Sequence, residues 1–413
     1  MSNETIDVAV VGLGTIGTGV AKLLLNNHAT NSRHAGREVK MRYGVDLDLD
    51  RDRGVTFPGG TLTDDLDAVL ADPDVDIVVQ LIGGTSAARN IMLKVLDAGK
   101  DVVTANKALL AAHGAELFQR ARERGCCISF EAAVAGGIPV IASISESLTA
   151  NRIESVGGIL NGTCNFIITQ MQEHGSDYSD VLLKAQELGY AEADPTLDVN
   201  GSDTAQKLAI LAQLAFELHV DWETIPRKGV DELALQDIQM ADALGYRIKL
   251  LATAAIGESE PVLSVSPTLV CKDEPLASVS GAFNAVQIVG DAVGPVFYQG
   301  YGAGEMPTAS AVVSDVIATA CGRAALTFDR MRLWSAGDEK VSAPSVEDAS
   351  VRWFVRVPGE FTCESLAEAI VVDTDSVCEC DAGVGAISEP CTRREIETRL
   401  GNLSDSVTIL PVL

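Results

Sequence analysis

Two rhythms of apolar and polar positions run along the chain, and they change over near residue 150. Before that point, short apolar runs at 6–11, 41–45, 75–82 and 102–104 alternate with stretches whose apolar residues recur every three or four positions. Runs of that length fit strands buried on both faces, and the longer spacing fits helices ending at Asn26 and Ala98. A further helix over 108–124 and a strand over 128–130 continue the alternation, with Gly99 and Gly125 standing where helices should stop. Alternating β and α elements build a parallel sheet covered on both faces, so the pattern predicts a doubly wound α/β domain over residues 1–150.

From residue 153 the order loosens. A strand over 153–160, three helical stretches between Asn161 and Leu218, and strand-like runs at 246–255, 261–270, 285–289 and 295–298 predict an α+β domain over 151–307. A helical run at 308–326 is expected to pack back on the first domain, and 336–346, with its Gly, Asp, Ser and Pro, reads as a linker. The tail, 348–413, reads as a small domain: a strand over 351–357, a helix near 365–370, a helix over 392–400 and a last strand over 407–412. No internal repeat or low-complexity segment is evident.

Composition adds bounds. At 413 residues, 47% of them hydrophobic, the chain can bury two or three domain cores. The 58 acidic against 31 basic residues leave a formal charge of -27, which repels nucleic acid phosphates and anionic membrane surfaces. Neither is an expected partner. Nine cysteines, an odd number with Cys126 and Cys127 adjacent and no CxxC or Cys/His spacing, predict neither a disulfide framework nor a zinc site. The chain passes from Met1 into a strand without a charged leader and apolar stretch, and no later segment approaches a membrane span, so the expected location is the cytoplasm.

Chemistry first shows at Gly12-Leu13-Gly14-Thr15-Ile16-Gly17, between a strand and a helix, where glycines let a backbone approach a pyrophosphate at a helix N-terminus. Alone, such a turn needs only positive φ; inside this alternation it predicts dinucleotide binding. The second strand ends at Asp46. An acid there accepts from the ribose hydroxyls and repels a 2′-phosphate, which leans toward NAD, although Arg51 and Arg53 could hold that phosphate if the loop folds back.

A second constellation lies in the middle of the chain. Pro195 keeps Asp194 out of the α region, so 189–195 is a loop, and Glu192, Asp194, Asp198 and Asp203 place four acids within twelve residues. That cluster suits an ammonium group or a cation, or is simply solvated. Asp203 and Lys207 stand at i and i+4 on a helix whose face continues through Ile210, Leu211, Leu214 and Leu218. Because Leu208, Ala209, Ala212, Ala215 and Phe216 make its other faces apolar, the helix is expected to be buried and its lysine paired. Reducing an aldehyde creates an alkoxide that needs a cationic donor, and a lysine in a low-dielectric pocket supplies one. None of the five histidines has a motif-like setting. Lys107, after a strand end at the carboxyl edge of the predicted sheet, is a second candidate.

With these residues in view, the sequence resembles homoserine dehydrogenases: GLGTIG at 12–17, TANK at 104–107, EAAVAGGIP at 131–139, GILNGTCNFI at 158–167, GYAEADPTLDVNGSDTAQKLAIL at 189–211 and GAGEMPTASAVVSD at 302–315. The resemblance covers about residues 5–330 and is most specific at 189–211. It implies a Rossmann domain, a catalytic and dimerising domain in a homodimer or homotetramer, and NAD- or NADP-linked interconversion of L-homoserine and L-aspartate 4-semialdehyde. By motif position it makes Lys207 the catalytic lysine, Asp203 its orienting partner, Glu192 and Asp198 ligands of the substrate amino group, and Lys107 a site lysine near nicotinamide and substrate. Thr104, Gly302 and Glu305 match positions close to the cofactor. Glu131, Val134, Gly136 and Ile138 match a segment whose backbone oxygens bind a structural monovalent cation, sodium by expectation.

Two departures qualify the resemblance. Cys164 stands where the motif usually has threonine or serine, with little harm expected, and the tail resembles a shortened ACT domain only weakly, so threonine inhibition is a hypothesis. Two rival readings follow from the residues. Cys164 could be the nucleophile of a semialdehyde dehydrogenase that forms a thioester, although no histidine recommends itself as its base. Alternatively the chain could bind nucleotide as a sensor without turnover, which the Asp203 and Lys207 pair speaks against.

Overall fold

The computed structural model describes residues 5–59, 61–257, 261–335, 341, 349–357, 361–370, 372, 377–380, 383–401 and 407–413. They form two compact units. The first comprises the described residues within 1–152, 209–219 and 300–341, and the second those within 153–208, 220–299 and 342–413.

In the first unit six strands, β1 (Thr5–Val11), β2 (Glu38–Val45), β3 (Leu62–Thr63), β4 (Val75–Gln80), β5 (Asp101–Thr104) and β6 (Ile128–Ser129), make one sheet in the order β3-β2-β1-β4-β5-β6. Every pairing is parallel. This is the Rossmann order, with its reversal point beside β1, where the chain leaves the sheet at the glycine turn. Continuous Val and Ile runs supply side chains to both faces of a buried parallel sheet. One face packs Val8, Val10, Ile77 and Val79 against Val20 and Leu24 of α1 (Thr15–Asn26) and against Val312 and Val316 of α12 (Glu305–Ala320). The helices α4 (Ser86–Asp97) and α5 (Lys107–Arg124) follow β4 and β5, α5 stops at Gly125 in the left-handed conformation, and the short α6 (Val140–Ala142) lies beyond β6.

Two features differ from the periodicity. The helical run predicted at 308–326 is two helices, α12 and α13 (Arg323–Met331), bent by 90°. Gly322, at φ +80, makes the break, a conformation glycine takes without Cβ strain. Two short helices, the polar α2 (His28–Ala35) and the six-residue α3 (Leu66–Ala71), also lie where the apolar spacing predicts none. Among the described residues no single helix is long and apolar enough to cross a membrane.

The second unit is built on a nine-stranded sheet in the order β11-β10-β7-β8-β9-β15-β12-β14-β13. Its strands are β7 (Ile153–Ile159), β8 (Tyr246–Ile256), β9 (Pro261–Cys271), β10 (Phe283–Gly290), β11 (Gly294–Tyr301), β12 (Arg352–Val357), β13 (Val377–Cys380), β14 (Gly383–Ile387) and β15 (Thr408–Val412). Between β7 and β8 run α7 (Gly162–His174), α8 (Tyr178–Glu187), α9 (Thr196–Val199), α10 (Ser202–Phe216) and α11 (Leu235–Ala243). The division between units falls inside α10, after Leu208. That helix ends at Phe216, and Glu217 follows it at φ +56, so the helix stops short of Leu218.

The tail contributes β12 to β15 with α14 (Cys363–Ile370) and α15 (Arg393–Leu400), and β15 joins the earlier strands by a parallel bridge from Val412 to Leu269. Most of the expected linker, all of 336–346 except Val341, lies outside the described residues. Arg356 on β12 donates to Asp237 on α11 at 2.5 Å, and the Asp237 side chain is 2% exposed. Replacing Arg356 by leucine leaves that carboxylate buried without its cation, at an expected cost of about 3–5 kcal/mol. Equilibrium urea unfolding reads this as a lowered midpoint; an unchanged midpoint would show that the pair stabilises little.

Candidate active site

In the first unit the turn after β1 closes on itself. Gly12 sits at φ +92, and a Cβ built on Gly17 would lie 1.9 Å from the Gly12 carbonyl oxygen, so neither position accommodates a side chain. A Cβ on Gly14 would meet nothing within 4 Å, which leaves the outer side of the turn open. Gly14 is the N-cap of α1 and gives it no side-chain cap, so the first N–H groups of the helix remain for a ligand. The Leu13 side chain is buried beneath the turn, while Thr15 is exposed and Ile16 half-buried beside it.

Asp46, one residue past β2, reaches back to this turn. Its carboxylate accepts from the backbone N–H of Leu13 at 2.7 Å and of Asp48 at 3.0 Å. Burial pushes its pKa upward, but the donations from Asp48 and Leu13 and the Arg53 guanidinium outweigh that and hold it below the usual carboxylate range. Arg53 does not extend toward a phosphate as the folded-back loop would require. Its guanidinium is buried and donates to the carbonyls of Leu13, Arg51 and Asp48. Arg51 is exposed.

At the carboxyl edge of the same sheet, Thr104 is fully buried and donates to Gln80 on the neighbouring strand at 3.0 Å, and the Asn106 N–H donates to the Thr104 hydroxyl. Asn106 caps α5 by accepting from Leu109, which sets Lys107, half-buried, at the first position of that helix. Glu305 opens α12 and accepts from Lys22 of α1 at 2.7 Å. A Cβ on Gly136 would lie 2.3 Å from the Gly302 carbonyl oxygen, so these two glycines bring their backbones together.

The segment 131–138 turns sharply, with Ala135 at φ +55 and Gly136 at φ +50. The Glu131 carboxylate accepts from the N–H groups of Ile141 and Ala142, and burial raises its pKa to about 7 despite them. The Glu131 side chain is therefore engaged inside the fold. Among the described residues the carbonyls of Val134 and Gly136, both buried, accept no hydrogen bond, whereas those of Glu131 and Ile138 accept from Val134 and Val140. Buried carbonyls without donors suit a cation that backbone oxygens coordinate.

In the second unit the acids converge on one amide. Asn161 is the N-cap of α7, its Oδ1 accepting from the Cys164 N–H at 2.8 Å. Its Nδ2 donates to Asp198 at 2.8 Å and to Asp203 at 3.0 Å. Lys207 Nζ donates to Asp203 at 2.7 Å and to the Leu160 carbonyl, at the end of β7, at 2.7 Å. The Lys207 and Asp203 side chains are 11% and 9% exposed, so this pair lies mostly out of water. Sequence reasoning named both charges and Asp198 but missed Asn161. The available signal was an asparagine between a strand end and Gly-Thr, a typical N-cap setting.

Glu192 lies outside this hydrogen-bonded cluster, exposed on the loop before Pro195. The loop itself is tied to α7, because Thr163 donates to the Tyr190 carbonyl at 2.6 Å. Cys164 is fully buried and its thiol donates to the Asp198 carbonyl at 3.3 Å. Burial, reinforced by Asp198 and Asp203, pushes that thiol well above its ordinary pKa, the opposite of what a thiolate nucleophile needs.

The sequence profile described as homoserine dehydrogenase matches residues 139–317, and that described as homoserine dehydrogenase, NAD binding domain, matches residues 12–131. A homoserine dehydrogenase of Pseudomonas aeruginosa is 48% identical over 315 residues, which are 76% of this chain and 72% of that protein. The crystal structure of a homoserine dehydrogenase from Thiobacillus denitrificans superposes with a TM-score of 0.88 at 38% identity, over 99% of this chain and 98% of that one. A hyperthermophilic archaeal homoserine dehydrogenase in complex with NADPH superposes with a TM-score of 0.63 at 26% identity, over 76% and 97% of the two chains.

The buried thiol yields a direct test. Cys164→Ser keeps the size and a donor for the Asp198 carbonyl, so the variant is expected to retain most of its turnover. A loss of about 10² or more in kcat would instead return the thioester mechanism to consideration.

Proposed function

Since the chain belongs to the homoserine dehydrogenase family, it is an NAD(P)-dependent oxidoreductase interconverting L-homoserine and L-aspartate 4-semialdehyde, and we propose that Lys207 carries the proton of that reaction. The reaction belongs to threonine and methionine biosynthesis. The observation that carries the proposal is the near-complete removal of the Asp203 and Lys207 pair from water. An ammonium has three hydrogens, and Asp203 with the Leu160 carbonyl takes two, leaving the third for a substrate oxygen.

When bound, the nicotinamide dinucleotide supplies the redox half of the chemistry at C4. In the reducing direction Lys207 donates to the C4 oxygen as negative charge develops there; in the oxidising direction its neutral amine takes the hydroxyl proton. Asp203 positions the nitrogen and balances its charge. Asp198, held at a fixed separation from Asp203 by the shared Asn161 amide, is the proposed acceptor for the substrate ammonium, with Glu192 assigned beside it on the family pattern alone. Lys107 is a further proposed site lysine.

For the cofactor we assign Gly12 to Gly17 to the pyrophosphate and Asp46 to the adenosine ribose, which favours NAD over NADP. Thr104, Gly302 and Glu305 are assigned positions near the dinucleotide, Thr104 through the backbone it braces, since its side chain is buried. The backbone oxygens of Glu131, Val134, Gly136 and Ile138 are assigned to a monovalent cation, sodium in our reading, which would hold the 131–138 turn together. We further assign residues 1–150 with the 308–326 region to dinucleotide binding, 151–307 to catalysis and dimerisation, and 348–413 to an ACT-like regulatory part, in a cytoplasmic homodimer or homotetramer.

Lys207→Ala is expected to lower kcat by roughly 10² to 10⁴ with a smaller effect on KM, measured with homoserine and saturating dinucleotide. Near-normal turnover would reassign the proton to Lys107 or to water. The regulatory assignment predicts that L-threonine inhibits the enzyme; unchanged rates across a threonine titration would remove it.

A further inference from the structure

The side chain of Arg53 is 2% exposed, on a loop that also carries Asp46, Asp48, Asp50 and Asp52. Its planar fork donates from Nε to the Leu13 carbonyl at 3.2 Å, from Nη1 to Arg51 at 2.9 Å and from Nη2 to Asp48 at 2.5 Å. Nη2 also lies 3.5 Å from the Asp46 carboxylate, the one counter-charge paired with it among the described residues. A buried guanidinium with a single carboxylate partner is costly to separate from it. Asp46 is gripped from its other side as well, because the Leu13 N–H donates to it.

Leu13, the residue between the first two glycines, is thus held from both ends by the loop after β2: its N–H by Asp46 and its carbonyl by Arg53. The glycine turn and the acidic loop form one hydrogen-bonded piece. Within that piece Asp46 cannot swing aside for a 2′-phosphate without stranding Arg53, and Arg53 cannot swing out to meet the phosphate without abandoning three carbonyls. We propose that Arg53 is a positioning residue for cofactor choice: by clamping Asp46 against the glycine turn it keeps a carboxylate at the adenosine ribose and so selects NAD over NADP. This rests on the assignment of Asp46 to the ribose. A lysine, with a compact ammonium, cannot reproduce the fork.

Steady-state kcat/KM for NAD and NADP, with homoserine, is measured for the unaltered enzyme, Arg53→Lys, Arg53→Met, Asp46→Ala and the Asp46→Ala, Arg53→Met double variant. Arg53→Met is expected to lower the NAD-to-NADP ratio by about tenfold or more, the scale of one charge-assisted contact, through KM for NAD with kcat changed little. Arg53→Lys should fall between. If Arg53 acts through Asp46, adding Arg53→Met to Asp46→Ala should leave the ratio within about twofold. Equal losses with both dinucleotides, or a lower melting temperature with the ratio intact, would overturn the inference. Should Arg53→Met not fold, an unchanged ratio in Arg53→Lys overturns it equally. An unaltered enzyme that prefers NADP instead sinks the underlying Asp46 assignment, and that result needs no variant.

Discussion

An ammonium kept mostly out of water must have its counter-charge within reach and its remaining hydrogens accounted for, or it gives up its proton. Lys207 meets the first demand with Asp203 one helical turn earlier and part of the second with the carbonyl of Leu160. The neighbouring polar side chains of the second unit are arranged around this pair. Asp203 needs a second donor because one ammonium does not satisfy a carboxylate, and the Asn161 amide supplies it. The same amide nitrogen donates to Asp198, so two like charges share a donor and are kept at a defined distance. An asparagine is suited to this because its oxygen caps α7 while its nitrogen faces the acids.

The first unit meets a different constraint, a turn in which backbone packs against backbone. Glycines at 12 and 17 allow the turn to fold onto itself, and an uncapped α1 leaves N–H groups directed outward. Such a turn has few contacts of its own. Its rigidity comes from the neighbouring loop, where a buried guanidinium and an aspartate hold Leu13 by both of its backbone polar groups. The charges that brace the turn are the same ones proposed to choose the dinucleotide. At the carboxyl edge of β4 and β5, Gln80, Thr104 and Asn106 do similar work without net charge, cross-bonding two strand ends and the start of the helix that carries Lys107.

The periodicity of the chain was sufficient for much of this. Continuous apolar runs marked β1, β4 and β5 to within a residue or two, because a parallel strand buried on both faces has no other composition open to it. The Asp203 and Lys207 spacing disclosed an ion pair, since side chains four apart on a helix are neighbours whatever surrounds the helix. The glycine turn and Pro195 were equally plain, each being a constraint on one or two residues' own backbone.

Only tertiary structure decided the rest. Asn161 meets acids 37 and 42 positions away, and Arg53 turns inward to a carbonyl 40 positions away, so no local pattern announces either. From sequence, an arginine behind an acidic strand end is as ready to meet a phosphate as to brace a turn; the space beneath the glycine turn determines which. The bend at Gly322 was hidden because apolar spacing continues through it, and glycine in a helical pattern does not declare whether it breaks the helix. Local sequence determined which groups carry charge and which segments are regular. The partners of those charges depended on which distant segments the sheet order brings together, a property of the whole chain's packing.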